Sequence, residues 1–80
     1  MSFHVEIGDQ IFLEEGGEEV GAVRKVSADH LVVYIEGAGD FTVPGAWVRA
    51  AHDGKVVVDP LQCDDAFLDA ARRAHERETD

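Results

Sequence analysis

Four histidines, one cysteine and seventeen carboxylates are the side chains in this chain of 80 residues that could ligate a metal or move a proton. His4, His30, His52 and His75 include no pair spaced His-x-His or His-x-x-x-His, the spacings that put two imidazoles on one strand face or one helix face. Convergence would have to come entirely from the fold. These histidines are therefore expected as polar residues at strand ends and on a helix face, with no metal and no other cofactor. Cys63 stands just before an expected helix start, where the helix dipole favours a thiolate, but Asp64 and Asp65 put like charge beside it. A half-buried structural thiol is the expectation. The acidic run from Glu14 to Glu19 lacks the alternating ligand positions of a calcium loop, so its carboxylates should face solvent. No nucleophile beside a base, no acid pair set in a pocket and no phosphate loop can be recognised, and no enzymatic activity or catalytic residue is expected.

Charge narrows the partners. Seventeen acidic against seven basic residues give a formal net charge of −10, and the acids run from Glu6 to Asp80. Such a surface repels phosphate, which nucleic-acid binders neutralise with Lys and Arg, and Arg24-Lys25 is too small a basic patch to reverse this. Anionic membranes are repelled for the same reason, and no apolar run approaches the ~20 residues of a spanning helix. No nucleic acid and no membrane insertion are expected. A single cysteine permits no disulfide within the chain, which fits a reducing compartment, and the first residues resemble no signal peptide. A cytoplasmic protein of one small domain, spanning 1–80, is the reading.

The elements that must position these groups read as short strands followed by one helix. Phe3, Val5 and Ile7 alternate with polar neighbours, as in an extended lead-in with the odd positions inward. A strand over 10–14 follows. In Val20–Val26 the valines recur at every third position, and a bulge near Gly21 would be needed to bring them to one face. His30–Glu36 is the strongest strand: Leu31, Val33 and Ile35 share one face, Val32 and Tyr34 the other, and both faces are apolar. Phe41–Asp59 reads as strand, bend, strand, two-residue turn and strand. Pro44 presets its own φ, Gly45 would supply the positive φ of a type II turn, and Asp53-Gly54 is a hairpin signal. Asp64 can cap a helix over about 64–77, with Phe67, Leu68, Ala71 and Ala74 on one side and Asp69/Arg73 and Arg72/Glu76 as ion pairs on the other. Residues 78–80 should fray.

Gly8-Asp9, Gly17, Val20-Gly21-Ala22-Val23, Val43-Pro44, Trp47-Val48 and Asp53-Gly54-Lys55-Val56-Val57-Val58 together resemble the PRC-barrel family over roughly residues 7–59. The acidic Glu18-Glu19 before Val20 and the helix from Asp64 depart from that pattern. The resemblance implies a mainly β fold: a small antiparallel, SH3-like barrel of five or six strands with one C-terminal helix. It also implies a protein-contact module with no shared catalytic set.

The two-sided apolarity of residues 31–35 suggests where contact is made. The expected function is a non-enzymatic protein-interaction module, self-associating as a homodimer, with Val32, Tyr34, Trp47, Phe67 and Leu68 as its interaction residues. Trp47 is either a core anchor or a groove wall, and Phe67 and Leu68 either dock on the barrel or await another copy. The alternative is a small-ligand or ion-binding regulator with a pocket near Trp47, His52 and Tyr34. An acidic DNA mimic ranks below both.

Overall fold

A computed structural model describes residues 4–14, 17 and 19–78, with side chains in the helix up to residue 74. The strands are β1 (Gln10–Phe12), β2 (Glu19–Val26), β3 (His30–Ile35), β4 (Gly39–Pro44), β5 (Val48–His52) and β6 (Lys55–Val58). A 3-10 turn, Gly45–Trp47, joins β4 to β5, and the helix α1 spans Asp65–Glu78. The six strands form one curled sheet in the order β4-β3-β2-β1-β6-β5, a half-barrel with α1 against it. The mainly β barrel-like fold with one C-terminal helix is thus what the chain adopts. Its closing pair differs from an all-antiparallel sheet: β1 lies parallel to β6, Gln10 beside Lys55 and Phe12 beside Val57. Local turn chemistry specifies the hairpins, whereas this pairing joins distant segments and has no local signal.

The core follows the pleat. Ile11, Leu31, Val33, Ile35, Val43, Val56 and Val58 are fully buried on the inner face, together with Val20 and Val23 of β2. The every-third spacing of the β2 valines is resolved by two irregularities. One lies at Val20, since Ile11 pairs with Gly21 and Phe12 with Glu19; the other lies at Arg24, since Val23 pairs with Val33 and Lys25 with Val32. Each adds one residue to β2 and turns the next side chain over. Val26, beyond the second irregularity, is exposed, so only two of the three valines reach the core. Gly21 sits where a Cβ would lie 2.2 Å from the carbonyl oxygen of Tyr34, which only glycine allows.

The outer face has a small apolar centre of its own. Phe12 and Val57 alternate with core residues, so they point to the convex side, yet both are buried and lie outside the main cluster. Lys55 lays its ammonium 5.7 Å from the Phe12 ring centre.

Several expectations need correction. Val5 is buried, but Ile7 is 71% exposed, because the chain turns at Ile7-Gly8 instead of continuing extended; Phe3 lies outside the described residues. β1 ends at Phe12, short of the expected 10–14. The bend after β4 is present, but Gly45 has no positive φ: Pro44, at φ −60° and ψ 148°, leads into a 3-10 turn. The Asp53-Gly54 turn is as expected, with φ of 53° and 77°, the pair of positive values that a type I′ hairpin demands.

Asp64 caps α1. Its Oδ1 accepts from the Phe67 amide at 2.8 Å and its carbonyl from the Leu68 amide at 3.1 Å. Phe67, Ala70, Ala71 and Ala74 form the buried stripe, so Ala70 takes a place expected for Leu68, which is half-buried. Asp69 and Arg73 pair at 3.2 Å as expected; Glu76 lies outside the described side chains, and residues 79–80 lie outside the described residues. Among the described residues no helix is long and apolar enough to cross a membrane.

Candidate functional site

The five expected interaction residues separate into two groups. Phe67 is 1% exposed and is the plug of the half-barrel. The Phe41 ring meets it edge-on at 5.8 Å between centres, and the half-buried Trp47 leans on it at 5.7 Å. Trp47 therefore joins the core margin of its own chain, Phe67 offers nothing to a partner, and Leu68 is half-buried on α1. Val32 and Tyr34 are different. They stand on the outer face of β3, Val32 half-buried and Tyr34 37% exposed.

Cross-strand register defines what surrounds them. Tyr34 sits between Ala22 on β2 and Asp40 on β4, and Val32 between Lys25 and Thr42. Arg24 holds its guanidinium 5.4 Å from the Tyr34 ring centre and pairs with Asp40 at 3.7 Å. Glu19, Val20, Gly21, Ala22, Tyr34 and Glu36 line a shallow cleft of about 280 Å³. The convex face is thus an aromatic and aliphatic centre bordered by both signs of charge.

A second cleft, of about 350 Å³, lies between α1 and the β3–β4 turn. Phe41, Ala38, Ala66 and Ala70 provide its apolar wall, and Glu36, Asp69 and Arg73 its polar rim. In the sequence Asp69 and Arg73 show only as a helix-stabilising pair. The cleft exists because α1 packs on β2 and β3 and leaves β4 at the margin, a placement that no local pattern announces.

The titratable groups remain dispersed. His4 lies 3.9 Å from Glu6, His30 2.7 Å from Asp29 and His52 3.5 Å from Asp53, each a local pair; the His75 side chain is outside the described set. The His30 hydrogen bond, and then its charge, hold the Asp29 carboxyl below its ordinary range. No group of three or more His, Cys, Asp or Glu among the described residues is arranged to hold a metal ion. Residues 15, 16 and 18 of the acidic loop lie outside the described residues. Cys63 donates its thiol to the Asp59 carbonyl at 3.2 Å; burial first, then Asp59 and Asp64, push its pKa up to about 11. That environment opposes a reactive thiolate.

Tyr34, Trp47 and His52, expected around one pocket, lie on β3, in the 3-10 turn and on β5 respectively. Three strands, β2, β1 and β6, separate β3 from β5 in the sheet order, and neither cleft above contains more than one of the three residues. Compared with known proteins, the chain matches no family model, no curated protein and no solved structure.

Proposed function

We propose that this chain is a protein-interaction module of the PRC-barrel kind, without chemistry of its own, that self-associates through the outer face of β3. The observation that supports this reading is the open Tyr34 ring beside Val32. A phenol ring flanked by Ala22 and Val32, with the Arg24 guanidinium 5.4 Å from its centre, offers a partner apolar and cationic contact together on a rigid sheet. Charge acts against it: two copies at −10 each repel, so pairing should tighten as salt screens the acids. The reading includes a reducing, cytoplasmic compartment, which the lone thiol Cys63 supports.

The test is sedimentation equilibrium at 50 and 500 mM NaCl on the wild type and on Tyr34→Glu. Twice the chain mass for the wild type, stronger at high salt, and a monomer for Tyr34→Glu is the expected result. A wild-type monomer at millimolar concentration in both salts removes the proposal.

A further inference from the structure

We propose that the free edge of β4, with the cleft beside α1, binds an extended segment of a partner protein as an added strand. An apolar side chain of that segment enters the cleft, and a Lys or Arg reaches Glu36. This site lies at the margin of the sheet on the helix side and goes beyond the self-association reading, which uses the convex face.

The argument begins with the edge. β4 is paired to β3 alone, and an edge strand turns alternate N–H and C=O groups away from its neighbour. Among the described residues, none of the backbone bonds made outside the strand ladders involves Gly39–Pro44. The β3–β4 register runs unbroken from His30/Pro44 to Ile35/Gly39; Gly39, at φ +99°, and Pro44, which has no N–H, bound the edge, so its regular stretch is Asp40–Val43. The other edge, β5, is interrupted by a register shift between Val48 and Ala50, which twists it away from pairing. Among the described residues β4 is the sheet edge with the longer unbroken register.

Side-chain recognition comes from the helix. Since α1 rests on β2 and β3, the inner face of β4 at Phe41 is left half-covered, and the 350 Å³ cleft opens there. Strand addition places every second side chain of the incoming segment on this inner face, within reach of Phe41, Ala66 and Ala70. The volume is at the low end for sites that enclose a ligand, which suits one apolar side chain better than a cofactor.

Charge selects the flanking residue. Arg73 already neutralises Asp69, while Glu36 is exposed with no charged partner among the described residues, so the rim carries an excess negative charge. The whole chain, at −10, adds attraction for a basic segment.

The experiment selects a phage-displayed library of random nine-residue peptides on the intact chain, then synthesises the enriched sequence. Expected are peptides that alternate apolar residues and contain Lys or Arg, and that shift the amide resonances of Phe41, Ala66 and Ala70. N-methylation of alternate peptide amides should weaken binding at least tenfold, because it removes the added ladder. Ala66→Trp, at an exposed position, should fill the cleft and weaken it similarly with an unchanged circular-dichroism melt, and Glu36→Gln severalfold. If Ala66→Trp does not fold, the N-methylated peptides on the wild type decide alone. Absence of enrichment, binding indifferent to N-methylation, shifts centred on Tyr34, or a β4 edge already occupied by a second copy would each overturn the proposal. A monomeric wild type leaves this test intact, so the two readings fail separately.

Discussion

Replacing Gly21 by alanine adds one methyl group at the tightest approach in the sheet. The new Cβ would stand 2.2 Å from the Tyr34 carbonyl oxygen and 2.9 Å from Cδ1 of Ile35. Carbon–oxygen contacts settle near 3.3 Å, so β2 and β3 must separate by about 1 Å at that point. The neighbour is backbone, which cannot rotate away. Separation weakens one or two ladder bonds, at about 1 kcal/mol each, and over-packing against the fully buried Ile35 adds about 1–3 kcal/mol. Against this, alanine restricts the unfolded chain and returns about 0.4–1 kcal/mol. The loss wins, with a net destabilisation of about 2–4 kcal/mol. For 80 residues total stability is about 4–12 kcal/mol, so the midpoint should fall by more than about 8 °C. Urea and thermal unfolding followed by Trp47 fluorescence measure the free-energy loss and the midpoint shift, since that indole rests on Phe67 and reports docking of the helix. Gly39→Ala is the comparison: its φ of +99° is strained for alanine but nothing lies within 4 Å, so it should cost less. A Gly21→Ala protein within 0.5 kcal/mol of the wild type would falsify the close approach of β2 and β3.

Phe67→Ala should destabilise by about 3–5 kcal/mol and loosen α1 from the sheet, seen as lost near-ultraviolet signal from Trp47 before strand signal is lost. Asp64→Ala removes the acceptor of the Phe67 amide and should cost about 1 kcal/mol in urea denaturation, while Asp64→Ser restores most of it. Cys63, with its pKa raised to about 11, should react with a thiol reagent at pH 8 about a hundredfold slower than an unperturbed thiol. Because the folded pKa exceeds the unfolded one, the stability it contributes is complete below pH 9 and is lost as pH rises toward 11, so Cys63→Ser should flatten the alkaline limb. His30→Ala should raise the Asp29 titration midpoint observed by carboxyl NMR, because the hydrogen bond that depresses it is gone.

What could be read from residues alone was what neighbours in sequence decide. Asp53-Gly54 demands two positive φ values, the alternation in residues 31–35 selects one buried face, and Asp64 precedes a stretch with helical spacing; each is a contest settled within a few residues. Gly45 failed because a 3-10 turn after Pro44 satisfies the same reversal without positive φ, and sequence cannot choose between the two. Ile7 failed because alternation implies burial only while the chain remains beside a sheet, and it leaves at Gly8. Of the interaction residues, Tyr34 and Val32 were legible as an outer face. Phe67 was ambiguous, since an aromatic on a helix stripe looks the same whether its own chain or another covers it. The cleft at Phe41 and Glu36 had no signature, as it arises from where a whole helix comes to rest.

The parallel seam between β1 and β6 gives the molecule a late fastening. The hairpins of β2 with β3, β3 with β4 and β5 with β6 can each form from chain close at hand, but Gln10 meets Lys55 only after most of the intervening chain has been gathered in. Two preassembled flaps, β2-β3-β4 and β5-β6, would then swing on this hinge line. Deuterium should enter along it before it enters either flap.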